Sequence, residues 1–173
     1  MTTVGQAEIR TQMRVLKLFQ KQLDYDYLGD WADRPDNRNI EVAYLQQWLE
    51  GRGIETQLVT RAIAELVKAS SDTSKSLYDR NKAVYDLLRY GVKIKPGHNE
   101  NTKDIWLIDW AHPEKNHFAV AEEVTIKGAD AKAATKRPDI VIYVNGIALG
   151  VIELKRSTVS VTEGIYQNLD NQK

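Results

Sequence analysis

Cysteine is absent from the 173 residues, so no disulfide and no thiolate zinc site can form. That absence fits a reducing cytoplasm. Only three histidines occur. His98, His112 and His117 sit in or beside turn-rich stretches without metal-ligand spacing and read as surface residues. No apolar run is long enough to span a bilayer, and Met1-Thr2-Thr3-Val4-Gly5-Gln6-Ala7-Glu8 lacks the apolar core of a signal peptide. A soluble, cytoplasmic chain with no membrane partner is expected. Neither sign of charge is in excess, since 24 Lys and Arg meet 24 Asp and Glu. The broad basic footprint of a strong nucleic-acid binder is therefore missing. No Gly-x-x-x-x-Gly-Lys-Ser/Thr loop occurs, so ATP binding by this chain is not expected.

What is present is ordinary for a globular protein: 42% hydrophobic and 28% charged residues. The length suits a single domain, residues 1–173, with a mainly helical part over 1–91 and a sheet, hairpin and last helix over 92–173. One stretch organises the rest. From Arg137 to Lys155, two β-branched runs flank Asn145-Gly146, the signature of a β-hairpin. Its charged residues, Asp139, Glu153 and Lys155, lie at the ends far from the turn. Side chains alternate across a strand, so Glu153 and Lys155 share a face and Leu154 points the other way. A strict two-residue turn pairs Val144 with Ile147 and puts Asp139 and Glu153 on opposite faces. A three-residue loop with Gly146 as a bulge, or a bulge at Gly150, brings the two carboxylates to one face.

Two carboxylates at close range repel unless a proton or a divalent cation lies between them. Hard oxygen donors on strands suit Mg2+ or Mn2+, which retain several waters and take only one or two protein carboxylates. A lysine on the same face can orient an attacking water and stabilise charge developing on a phosphate. The alternative reading is local: Asp139 caps a strand start, and Glu153 and Lys155 discourage pairing of an edge strand. A decoy occurs earlier, Arg34-Pro35-Asp36 followed after thirteen residues by Glu50-Gly51-Arg52. Its intervening stretch has helical periodicity, so no strand presents Glu50 and Arg52 together.

Pro138-Asp139, thirteen residues, then Glu153-Leu154-Lys155 resembles the signature of the PD-(D/E)xK nucleases. Asp104-Ile105-Trp106-Leu107-Ile108-Asp109-Trp110, Asn116-His117-Phe118, Val144-Asn145-Gly146 and Ile152-Glu153-Leu154-Lys155 are similar to the N-terminal nuclease region of the restriction (R) subunit of type I restriction-modification enzymes. The likeness covers most of the chain from about Ser76 onward and is weaker before it. It implies a Mg2+-dependent endonuclease acting on double-stranded DNA, with Asp139, Glu153 and the Leu154 carbonyl as metal ligands and Lys155 serving the attacking water. In the resembled fold a glutamate from an early helix often approaches the metal, which makes Glu8 a candidate; a helix-dipole role is the competing reading. Gln167 matches a glutamine of the RecB-type branch, although the tyrosine four residues later is Asn171 here. Gln167, Arg137 and Arg156 are candidate DNA contacts within a basic patch that also includes Lys127, Lys132 and Lys136. ATP would act only through motor domains outside this chain, and methyltransferase and specificity subunits would be the partners. A non-catalytic docking module and a stand-alone resolvase of the same fold are the alternatives.

The resemblance implies an α/β (α+β) fold with a mixed sheet of about five strands flanked by helices. Helices are expected over Gln6–Leu23 (apolar Ile9, Met13, Leu16, Phe19, Leu23), Ile40–Glu50 capped by Asn39, Thr56–Ala69, Leu77–Tyr90 and Val161–Lys173. Ile165, Tyr166 and Leu169 should pack on the sheet. Residues 24–39 read as a loop, and strands as Val92–Lys95, Ile105–Trp110 and Phe118–Ile126. Trp31, Trp48, Tyr78 and Tyr85 read as core residues, with base stacking the lesser reading. Asp109 should bind backbone in its turn, and one of Glu122 and Glu123 must face inward as a reserve metal ligand. The chain stops without a helix terminator, which suggests a piece of a longer protein.

Overall fold

The computed structural model describes residues 3–126, 136–154, 165, 166 and 169, with side chains from residue 9 onward. The elements in order are α1 (Thr3–Gln22), β1 (Asp26–Asp30), α2 (Val42–Gly51), α3 (Thr56–Ser71), α4 (Leu77–Tyr90), β2 (Val92–Ile94) and β3 (Lys103–Ile105). A 3-10 turn (Pro113–Lys115) follows, then β4 (Phe118–Glu122), β5 (Ile140–Val144) and β6 (Ile147–Ile152). The architecture is a mixed α+β fold, as expected, but the strands divide differently. Four form one sheet in the order β1-β4-β5-β6, and β2 pairs with β3 separately. The chain comprises two compact units: residues 1–39, 118–144 and 148–173, and residues 40–117 with 145–147.

In the first unit β1 runs parallel to β4, and β4 antiparallel to β5. The stretch expected to be a loop therefore contributes a strand. Its sequence hides it: Asp26 and Asp30 bound it, and Gly29, at φ 113, interrupts it where the register shifts. Leu16 and Phe19 of α1 pack with Val120 and Ile140. Ile9, Met13 and Leu23, expected on the same apolar face, are exposed. A helix of 20 residues is about 30 Å long whereas a five-residue strand is about 17 Å, so part of α1 extends past what the strands can cover. The opposite side of β4 presents Ala119 and Ala121, small enough for Trp31 and Tyr143 to meet with ring centroids 5.5 Å apart.

The second unit packs α2, α3 and α4 around Leu45, Leu49, Val59, Ala62, Leu66 and Leu107, all fully buried. The predicted span of α4 matches because both ends are written in the chain. Ser76 Oγ accepts from Asp79 N–H at 3.1 Å, and Gly91 at φ 76 ends the helix. Asn39 does not cap α2, which starts after Glu41; its carbonyl instead accepts from Ala148 N–H at 2.8 Å. Trp31 is buried and Trp48 half-buried, but Tyr78 and Tyr85 are exposed, which corrects their assignment to the core. Ile165, Tyr166 and Leu169 are helical and exposed too; the rest of the last helix lies outside the described residues.

The strand expected over Ile105–Trp110 ends at Ile105. Leu107 and Ile108 are buried in a turn held by side chains rather than a ladder. Asn116 accepts from Asp109 N–H at 2.8 Å and donates to Asp109 O at 3.0 Å. Asp109, 8% exposed, does bind backbone as expected, taking His112 N–H at 2.9 Å, and Arg52 lies 2.9 Å away. The hydrogen bond from His112 and the Arg52 charge hold its carboxyl below the ordinary carboxylate value. A depressed folded-state pKa means the stabilisation is complete above about pH 4, the unfolded value, and is lost as pH falls through the lower folded value. Melting temperatures recorded from neutral pH down to pH 2 should fall more steeply for wild type than for Asp109→Asn. Identical acid limbs would show that Asp109 carries no such linkage.

Candidate metal centre at the base of the hairpin

Asn145 and Gly146 both have positive φ, 52° and 81°, which defines a two-residue type I′ turn. The tight turn is therefore the one formed, and by simple alternation it would set Asp139 and Glu153 on opposite faces. The strand corrects this itself. Ala148 packs with Val141 and Tyr143, whereas Ile152 and Leu154 pack with Ile140 and Ile142. A Cβ built on Gly150 would meet Ile142 at 3.3 Å, on that second face already. One extra residue between Ala148 and Gly150 therefore switches the parity, as a β-bulge does. Continued one residue past the ends of β5 (Ile140–Val144) and β6 (Ile147–Ile152), the same count would set Asp139 across from Glu153, on the side away from Ile140 and Leu154.

Asp139 enters β5 with both its polar ends occupied. Its carbonyl accepts from Glu123 N–H at 2.9 Å, and its Oδ2 accepts from Leu154 N–H at 2.5 Å. The carboxylate thus lies against the peptide that joins Glu153 to Leu154. Arg137 is exposed and forms an ion pair with Glu123 at 3.0 Å. Lys136 forms a two-way backbone bridge with Ile126, at 2.8 and 3.0 Å. Lys127, Lys132, Lys155, Arg156 and Gln167 lie outside the described residues. Glu8 falls within α1, beyond its first turn, so the N-terminal dipole is not its reason for being there; its side chain is outside the description. The decoy Glu50 and Arg52 lie at the end of helix α2, not on a strand.

Glu122 and Glu123 depart from the alternation expected of a strand through residue 126. The strand ends at Glu122, and Glu123 takes a left-handed backbone, φ 51, which is unfavourable for a residue with a side chain. The consequence is convergence: the Gln12 amide of α1 donates to Glu122 at 2.8 Å and to Glu123 at 3.3 Å. The Tyr27 hydroxyl also donates to Glu122. Partial burial, that hydrogen bond and the charges of Glu122 and Asp30 push the Tyr27 hydroxyl well above the ordinary phenol range, so it stays a donor. Neither Gln12 nor Tyr27 was marked by any sequence motif, and only the packing of α1 and β1 reveals them.

The donors at the hairpin base fit a hard divalent cation: two carboxylates and a main-chain carbonyl, oxygen throughout. Among the described residues no group of three or more His, Asp or Glu side chains is placed to hold an ion. A cation here would keep part of its water shell, as magnesium does.

The chain belongs to the type I restriction enzyme R protein N-terminus family, whose model matches residues 6–173. Among its relatives, the type I restriction enzyme HindI endonuclease subunit of Haemophilus influenzae is 32% identical over 118 residues, 66% of this chain and 11% of that protein. A protein of Methanocaldococcus jannaschii, provisionally named the type I restriction enzyme MjaIXP endonuclease subunit, is 33% identical over 78 residues, 44% of this chain and 8% of its own length. The match thus spans about a tenth of these relatives. No described helix is long and apolar enough to cross a membrane.

Proposed function

We propose that this chain is the nuclease domain of a type I restriction subunit and hydrolyses DNA phosphodiester bonds with Mg2+ or Mn2+. The observation that carries the reading is the Asp139 carboxylate seated on the Glu153–Leu154 peptide. Asp139, Glu153 and the Leu154 carbonyl would hold the cation. When bound, it supplies positive charge against the scissile phosphate and makes water a better nucleophile at neutral pH. Asp139 and Glu153 keep their geometry because neighbouring strands fix their backbones, so little reorganisation is needed during reaction. Lys155, two residues after Glu153, would orient the attacking water and offset charge that accumulates on the phosphate oxygens. Glu8 is proposed as an additional acid, and Arg137, Arg156 and Gln167 as contacts to the DNA backbone. In the whole subunit, ATP would drive translocation through other domains, with methyltransferase and specificity subunits bound and cutting following translocation.

The test uses the complete restriction complex with plasmid DNA, Mg2+ and ATP. Lys155→Ala should nick and linearise plasmid at least about a hundredfold more slowly than wild type, the effect of losing one positioned catalytic group, while hydrolysing ATP at the same rate. Equal cleavage by the variant would refute the assignment.

A further inference from the structure

Helix α4 turns Leu88 inward and packs Val84 and Leu87 against the same core. Its other side is not what a plain solvated face would be. At 100° per residue, Tyr78, Lys82, Tyr85 and Arg89 fall within an arc of about 60°, opposite the buried stripe. Tyr78 is 74% exposed and Tyr85 59%, so both rings of the row are open to solvent. Trp110 stands at the end of this row. Its indole N–H donates to Leu88 O at 2.8 Å, which fixes the ring, and the Arg89 guanidinium lies 5.7 Å from its centroid. Trp110 is itself 48% exposed. Among the described residues, neither Lys82 nor Arg89 is in an ion pair; Asp79 and Asp86 border the row on one side only.

Aromatic faces and cations therefore alternate along about 16 Å of helix. A ligand that satisfies both needs flat rings open to stacking and negative charges between them. Single-stranded nucleic acid has that chemistry; a duplex hides its base faces within the stack. We infer that the outer face of α4 is a contact surface for single-stranded DNA, with Tyr78, Tyr85 and Trp110 stacking on bases and Lys82 and Arg89 meeting phosphates. The choice of DNA as occupant rests on the proposed nuclease function, whereas the surface shares no residue with the proposed metal site.

Fluorescence anisotropy of labelled oligo(dT) with the 173-residue chain tests it. Tyr78→Ala/Tyr85→Ala should weaken binding by about tenfold or more. Lys82→Gln/Arg89→Gln should reduce the slope of log K against log salt by about 1.4. Wild type should prefer the single strand to a duplex of equal length. All four side chains are exposed, so unchanged circular dichroism and melting should accompany these effects. Wild-type binding by both double variants, a preference for duplex, or no binding by wild type would overturn the inference; a face that seats another protein gives the first of these results. Asp139→Ala, measured alongside for cleavage and binding, separates the two proposals. If it still cuts DNA while the α4 variants lose oligonucleotide, the surface stands and the nuclease reading falls. The converse removes the surface alone.

Discussion

Asp139→Ala should reduce DNA cleavage by the complete restriction complex by about a thousandfold or more, because several kcal/mol of transition-state stabilisation would depend on the cation proposed there, and each 1.36 kcal/mol is tenfold in rate. ATP hydrolysis should be unchanged, since the proposed motor would lie in other domains of the subunit. Two effects are joined in that substitution. The carboxylate would supply charge to the cation, and it also accepts the Leu154 N–H, which holds the Glu153–Leu154 peptide in place. Asp139→Asn separates them, because an amide oxygen can still accept that hydrogen bond but carries no charge. The asparagine variant should therefore be nearly as slow as the alanine one. Cleavage by Asp139→Asn at close to the wild-type rate would mean that Asp139 positions the strand and holds no metal.

The second large effect belongs to the turn at the other end of the hairpin. Gly146→Ala should lower stability by about 2–5 kcal/mol, the sum of a left-handed backbone cost and overpacking. A Cβ there would lie 2.7 Å from Glu41 O, 2.8 Å from Tyr44 Cβ and 3.0 Å from Leu45 N, and two of these three are backbone atoms that cannot swing aside. Gly146 O also accepts from Glu41 N–H at 2.8 Å, so the turn is tied to the start of α2. Asn145 beside it is 0% exposed, and its side chain accepts from His117 N–H and donates to Leu107 O and Asn116 Oδ1. Such a turn has little spare room, and the Asn145 side-chain amide is fully paired. Urea denaturation monitored by circular dichroism reads the loss as a lower midpoint. An unchanged midpoint would show that the turn relaxes at no cost.

The hairpin and α4 were legible because their signals are local. Asn-Gly between β-branched runs specifies a turn, and Ser76 with Gly91 specifies a helix start and stop. What was not legible depended on partners distant in sequence. Strand β1 has too few β-formers to declare itself and exists because β4 pairs with it across the intervening residues 31–117. Tyr78 and Tyr85 were assigned to the core by hydrophobicity alone, whereas only the packing of α3 and Leu88 decides which side of α4 faces inward. At the site, the sequence offered two turn geometries and one bulge position. The structure forms the tighter turn, and Ala148 and Ile142 pack into different clusters with Gly150 already against Ile142.

The first unit is assembled from chain segments that flank the second, and this orders events on the ribosome. Residues 40–117 emerge as one uninterrupted piece carrying all but three residues of their unit, so their helices can consolidate early. Strand β1 has left the exit tunnel long before β4, its neighbour in the sheet, has been synthesised. Until then its backbone donors and acceptors are open to solvent or to a chaperone, and the acids at the hairpin base cannot meet. Completion of the sheet consequently waits until residues 118–152 have been made.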